Sequence, residues 1–173
     1  MYKLTCIAFA ITASLTGLSI GSVSAEDNHI GSNEFLKGSF RFTTTKTCTD
    51  STIGSILHFY FNGTIVYDGY GTAQLTQQGT VVRANQTPMP LEETAELTYT
   101  VKPNGSFSQE GAFQAVDQSY KLAIAKMTGQ VNAQGSVVIF NAVIPPEKEN
   151  VNASGGWLSE YFCGSSSTAV RMR

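Results

Sequence analysis

The sequence predicts an all-β domain, built as a single up-and-down antiparallel β-barrel of roughly 8–10 strands, with a β-sandwich as the second choice. Three observations predict it. No stretch keeps a helical apolar period long enough to make an amphipathic helix. Period-two alternation recurs instead, most clearly in Thr94–Ala115, where Ala95, Leu97, Tyr99 and Val101 alternate with Glu96, Thr98, Thr100 and Lys102. Turn signals also come close together, so strands pair with their neighbours. An open sheet of so many strands would expose two edges, and closure removes them.

Taken in order, Asn33–Lys37 is predicted to make one short helical turn capped by Asn33. Gly38 opens a strand, Ser39–Cys48, in which Phe40 and Phe42 alternate with polar residues, and Thr49–Ser51 is a turn. Gly54–Phe61 is apolar on both faces, with Leu57, Phe59 and Phe61 on one parity and Ile56, His58 and Tyr60 on the other. Such a strand is central, or lines a lumen while its back is covered. Asn62-Gly63, Asp68-Gly69 and Gln78-Gly79 read as successive turns, leading into Thr64–Tyr67, Tyr70–Thr76 and Thr80–Asn85. Thr87-Pro88-Met89-Pro90 cannot be a central strand, since two prolines remove donors, and is expected as an exposed loop or sheet edge.

The hairpin around Asn104-Gly105 follows, with Phe107, Phe113 and Ala115 on its inner parity beyond the turn. Asp117-Gln118 turns the chain into Tyr120–Met127, and Ala133-Gln134-Gly135 precedes a buried-looking strand, Ser136–Val143. Pro145–Gly156 is the longest irregular segment; Trp157–Cys163 and a last short strand, Thr168–Met172, end the chain.

Residues 1–25 read as a signal peptide. Lys3 precedes an apolar run, Ile7–Ile20, and Val23-Ser24-Ala25 offers small residues for cleavage after Ala25. Residues 26–37 are then a loose N-terminal segment and 38–173 the barrel domain, secreted or periplasmic. The full chain has a net charge of −2 and no basic cluster, which argues against nucleic acid or an anionic membrane surface as partner. A membrane-embedded barrel is disfavoured too, because the alternate faces are rich in Ser, Thr and Gln rather than continuously apolar. Beyond the leader two cysteines remain, Cys48 and Cys163, and the simplest reading is one disulfide. Closing so long a loop is worth up to about 4–5 kcal/mol.

Chemistry-bearing motifs are missing. There is no Gly-x-Ser-x-Gly, His-Glu-x-x-His, phosphate loop or EF-hand spacing, so no cofactor, metal or catalytic residue is assigned, and an enzyme is disfavoured. His29 lies in the loose terminus, which leaves His58 as the one candidate base. Glu92, Glu93 and Glu96 form the densest acidic group, two of them expected in solvent. Asn62, Asn85, Asn104 and Asn152 each begin an Asn-x-Ser/Thr triplet; at Asn62 and Asn104 turn chemistry explains the pattern without a glycan.

Asn33–Phe42, NEFLKGSFRF, resembles the opening of a lipocalin-type (calycin) barrel: a one-turn helix, then Gly-x-aromatic beginning the first strand. Asp117-Gln118-Ser119-Tyr120 is similar to that family's Asp-containing turn, and Arg171 to its late arginine. The Gly-rich hairpins also resemble those of uncharacterised exported bacterial proteins whose barrels are calycin-like. Phe40 stands where the family usually has tryptophan, and no clear helix follows the strands. The resemblance implies a closed barrel.

A barrel of this size is wide enough to enclose one small molecule. The expected partner is therefore a small apolar ligand, with Ile56, His58, Tyr60, Tyr99, Phe107 and Phe113 as lumen candidates and His58 or Tyr60 as polar handle. The rival reading is a surface or envelope interaction module that binds a protein or glycan through Thr87–Leu91 and Pro145–Gly156.

Overall fold

The computed structural model describes residues 33–154 and 158–173, so the predicted leader, the start at Glu26 and Trp157 lie outside the described residues. Within them the Asn104-Gly105 hairpin forms as its chemistry dictates. Gly105 takes a φ of 78°, and its N–H donates to Lys102 O at 2.8 Å. The flanking strands bury Ala95, Leu97, Tyr99 and Val101 on one side of the turn and Phe107, Phe113 and Ala115 on the other.

Among the described residues, nine strands follow a short 3₁₀ turn at Asn33–Leu36. They are β1 (Gly38–Asp50), β2 (Ile56–Tyr67), β3 (Thr72–Arg83), β4 (Met89–Val101), β5 (Ser106–Ala115), β6 (Tyr120–Val131), β7 (Val137–Ala142), β8 (Lys148–Ala153) and β9 (Leu158–Arg171). All pairings are antiparallel. Strands β1 to β6 each pair with the next, and β9 returns to pair with β1, which closes the barrel. Between β6 and β9 one stave is shared, with β7 filling the half near the 3₁₀ turn and β8 the other half. Nine strands thus make an eight-stave barrel, and the chain bulges out at 143–147 between the two halves. Much of Pro145–Gly156, expected to be irregular, is therefore strand β8.

Two expected turns are not turns. Asn62-Gly63 lies inside β2 and Gln78-Gly79 inside β3, and both strands run on unbroken. Their glycines serve closure. A Cβ on Gly63 would sit 2.1 Å from Thr76 O and 2.9 Å from the Phe42 ring; one on Gly79 would sit 2.2 Å from Tyr60 O and 2.5 Å from the Phe61 ring. In the register each faces that large inward side chain, Phe42 opposite Gly63 and Phe61 opposite Gly79, and Leu97–Gly111 and Phe140–Gly129 repeat the arrangement. An inward glycine lets the strand bend sharply while its neighbour's side chain fills the space.

Of the two prolines, Pro88 precedes β4 and Pro90 lies inside it. Pro90 pairs with Thr80, but β5 pairs with β4 only from Glu93 onward, so this start of β4 projects beyond its second neighbour and the missing N–H costs no ladder bond there.

One end of the barrel is plugged. Leu36 is fully buried beneath the 3₁₀ turn, so the segment expected to be loose is docked from Asn33 onward. Asn33 does not cap the turn. Its Oδ1 accepts from Val101 N–H (3.0 Å) and its Nδ2 donates to Tyr70 O (3.3 Å), tying the turn to β4 and to the β2–β3 connection. Arg171 lies 5.3 Å above the Phe40 ring and donates to Phe35 O (2.6 Å) and Gly135 O (3.0 Å). Cys48 and Cys163 face each other on β1 and β9, Cα atoms 4.1 Å apart, and form the disulfide.

Candidate functional site

Side-chain parity divides the barrel interior into two halves. Toward the plugged end the space is filled by edge-to-face aromatic packing, with Phe40–Tyr67 centroids 5.4 Å apart and Tyr67–Tyr99 4.8 Å apart. Buried hydroxyls there find partners. Tyr67 Oη donates to Gln109 Oε1 (3.0 Å), and Tyr99 Oη donates to Asn33 O (3.0 Å) while accepting from Gly69 N–H (3.0 Å). Burial raises the Tyr99 hydroxyl to about 12 and pushes Tyr67 higher still.

The other half holds a cavity of about 310 Å³. Its walls are mainly apolar, with Phe59 and Phe61 stacked at 5.8 Å on one side and Phe113, Leu122 and Met127 on the other. Arg83, Met89 and Ser119, all exposed, stand with half-buried Tyr161 where β3, β4, β6 and β9 end, and mark its mouth.

Two polar clusters interrupt the apolar lining. On β1 and β8, Lys46 Nζ forms an ion pair with Glu149, whose side chain is only 12 % exposed. Across β3, β4 and β6, Glu93 accepts from Gln77 Nε2 and from the Tyr120 hydroxyl. Burial first, and the Glu93 charge second, hold that hydroxyl protonated well above the usual phenol range. Carboxylate oxygens of Glu149 and the sulfurs of Cys48 and Cys163 lie within 4.8 Å of one another. With the sulfurs bonded to each other no thiolate is offered, and the group cannot act as a soft metal site in this state.

The expected lumen residues separate. Phe113 lines the cavity. Tyr99 and Phe107 are inside the barrel but belong to the packed half, with centroids 6.4 Å apart. Ile56, His58 and Tyr60, expected in the lumen, are instead on the outer face of β2, with Ile56 and Tyr60 half exposed. The opposite parity, Leu57, Phe59 and Phe61, points inward because it continues through Gly63, Ile65 and Tyr67 once the strand is unbroken. His58 pairs with Thr47 Oγ1 at 3.1 Å on the outside, which removes it both as a polar handle and as a lumen base.

Sequence reasoning missed Lys46, Gln77, Gln109, Tyr120 and Glu149 as interior residues, and passed over Glu93 as one of an acidic group. Parity carried the signal. Lys46 shares the inner register of Phe42 and Cys48, Gln77 that of Leu75 and Val81, and Glu93 that of Ala95 and Leu97. Glu92 and Glu96, on the other register, are exposed.

No family model and no curated protein matches this chain. Among solved structures, "Structure of EF1p2_mFAP2b bound to DFHBI" is similar at 10% identity with a TM-score of 0.42, covering 82% of this chain and 97% of that one. "Structure of a redesigned beta barrel, mFAP1, bound to DFHBI" is similar at 14% identity and a TM-score of 0.39, covering 81% and 98%.

Proposed function

We propose that this protein is an exported, secreted or periplasmic β-barrel that holds one small, largely apolar molecule in the mouth half of its lumen. The observation that carries the reading is the cavity of about 310 Å³ inside an otherwise packed barrel. Close-packed interiors leave few voids larger than a water molecule, whereas ligand pockets begin at about this size. Its lining suits the role, with Phe59 and Phe61 giving aromatic surface and a few polar groups available to fix orientation. The Cys48–Cys163 disulfide agrees with an oxidising compartment, and the leader expected at residues 1–25 with export. Among the described residues no helix is long and apolar enough to cross a membrane.

Native mass spectrometry of the exported protein, purified without detergent, tests the reading. We expect an extra mass that is lost on denaturation and is absent from Ala125→Phe, which places a ring in the cavity from a buried position on β6. An apo mass from cells, combined with no calorimetric binding of added decanol, would overturn it.

A further inference from the structure

We infer that the molecule bound in the lumen carries a cationic head, an ammonium or similar group, and that Glu93 receives it. The inference rests on the lumen-binding reading and names its ligand class. Glu93 is only 7 % exposed and lines the cavity. Both of its recorded partners, the Gln77 amide and the Tyr120 hydroxyl, are neutral donors. No cation among the described residues lies within ion-pairing distance of it.

The other charges around the cavity are accounted for. Lys46 is committed to Glu149. Lys126 pairs with Glu147 at 2.9 Å, both well exposed. Arg83 stands exposed at the mouth, six positions along β3 from Gln77, which pairs with Glu93; that is roughly 20 Å of strand. Among the described residues the deep lumen therefore holds one cation against two carboxylates, and Glu93 is the one left over.

A buried carboxylate without a counter-charge is costly, and hydrogen bonds from neutral groups offset only part of the desolvation. A ligand that brings its own positive charge removes that cost. The surroundings favour an organic cation over a metal ion. Phe113 is the diagonal cross-strand neighbour of Glu93, and cavity-lining aromatic faces attract ammonium groups. One carboxylate, one amide and one phenol are too few oxygens for a hard divalent cation, which takes six or more with water. The aliphatic and aromatic remainder of the cavity then takes the ligand's apolar body.

The test is a matched series of decylamine, decanol and decanoate, titrated calorimetrically at neutral pH into the intact oxidised protein. We expect the amine to bind at least about tenfold more tightly than the alcohol, and the carboxylate at least about tenfold more weakly than the alcohol. In Glu93→Gln the amine's advantage should shrink to within about threefold while decanol binds as before. His58→Ala, on the outer face, should leave all three affinities unchanged. Equal binding of amine and alcohol, or an amine preference that survives in folded Glu93→Gln, would overturn the cationic class and leave lumen binding standing. Binding by none of the three would overturn the cationic class and, together with an apo mass from cells, the lumen reading as well; amine binding that survives Ala125→Phe would also bring the lumen reading down. Should Glu93→Gln fail to fold, the series on the unmodified protein still decides.

Discussion

At the residue scale, Arg171 shows how much one side chain can organise. Its guanidinium covers the Phe40 ring and donates to two carbonyls, one from the 3₁₀ turn region and one from the β6–β7 connection. A lysine cannot make that fork, so Arg171→Lys should destabilise by about 1–3 kcal/mol, read as a lower urea midpoint. Asp68 does comparable work for the β2–β3 turn, where its Oδ1 accepts from the backbone N–H groups of Tyr70, Gly71 and Thr72. The Thr72 hydroxyl first, and these backbone bonds with it, lower its carboxyl to about 2. Because the folded value is depressed, the stabilisation is complete above the unfolded value near 3.8 and is lost as pH falls toward about 2. Asp68→Asn should be less stable than the parent at neutral pH, and the gap should narrow as the urea midpoint is followed down through that window.

At the element scale, the inward glycines of β2 and β3 are the parts of the sequence most easily misread. Asn-Gly is a strong hairpin signal, and at Asn104-Gly105 it acts as one. At Asn62-Gly63 the same dipeptide is spent on bending a continuous strand, because Phe42 needs the space a Cβ would take. Gly63→Val and Gly79→Val should each cost about 1–3 kcal/mol or more through overpacking against backbone, whereas Gly164→Val, on the exposed face of β9 where a Cβ meets nothing within 4 Å, should not; thermal melts of the three variants check this. The consequence for legibility is specific. Breaking β2 at Asn62 hid the run Leu57, Phe59, Phe61, Gly63, Ile65, Tyr67, so a strand apolar on both faces was assigned the wrong inner face. The one-sided strands β4 and β5 were legible because period-two patterning leaves no such choice. Lumen-facing Lys46, Gln77 and Glu93 were obscured for a related reason, since a polar residue at an inward position reads locally as surface.

At the scale of the whole molecule, alternating sequence, neighbour pairing and the absence of free edges predicted a barrel, and the chain closes as one with a single shared stave. The cavity itself was not legible, because a void depends on how all eight staves fill their common interior and not on any one strand. The disulfide was legible from arithmetic on two cysteines and compartment. Replacing both, Cys48→Ser with Cys163→Ser, should lower stability by up to about 4–5 kcal/mol, and reducing agent should reproduce the loss in the parent protein, with urea unfolding as the measurement.

The pairing of β1 with β9 also governs how the chain reaches this shape. Each hairpin from β1 to β6 joins adjacent stretches and can form early, but the closing seam joins residues such as Cys48 and Cys163, 115 positions apart. Contacts of that separation carry the largest loop-closure cost and place the protein among slow folders, in the range of about milliseconds to seconds. Closing that seam is then expected to be the rate-limiting step. A chain refolding with its disulfide intact starts with the two ends of that seam already held together, so stopped-flow refolding should be faster oxidised than reduced, while unfolding rates differ less.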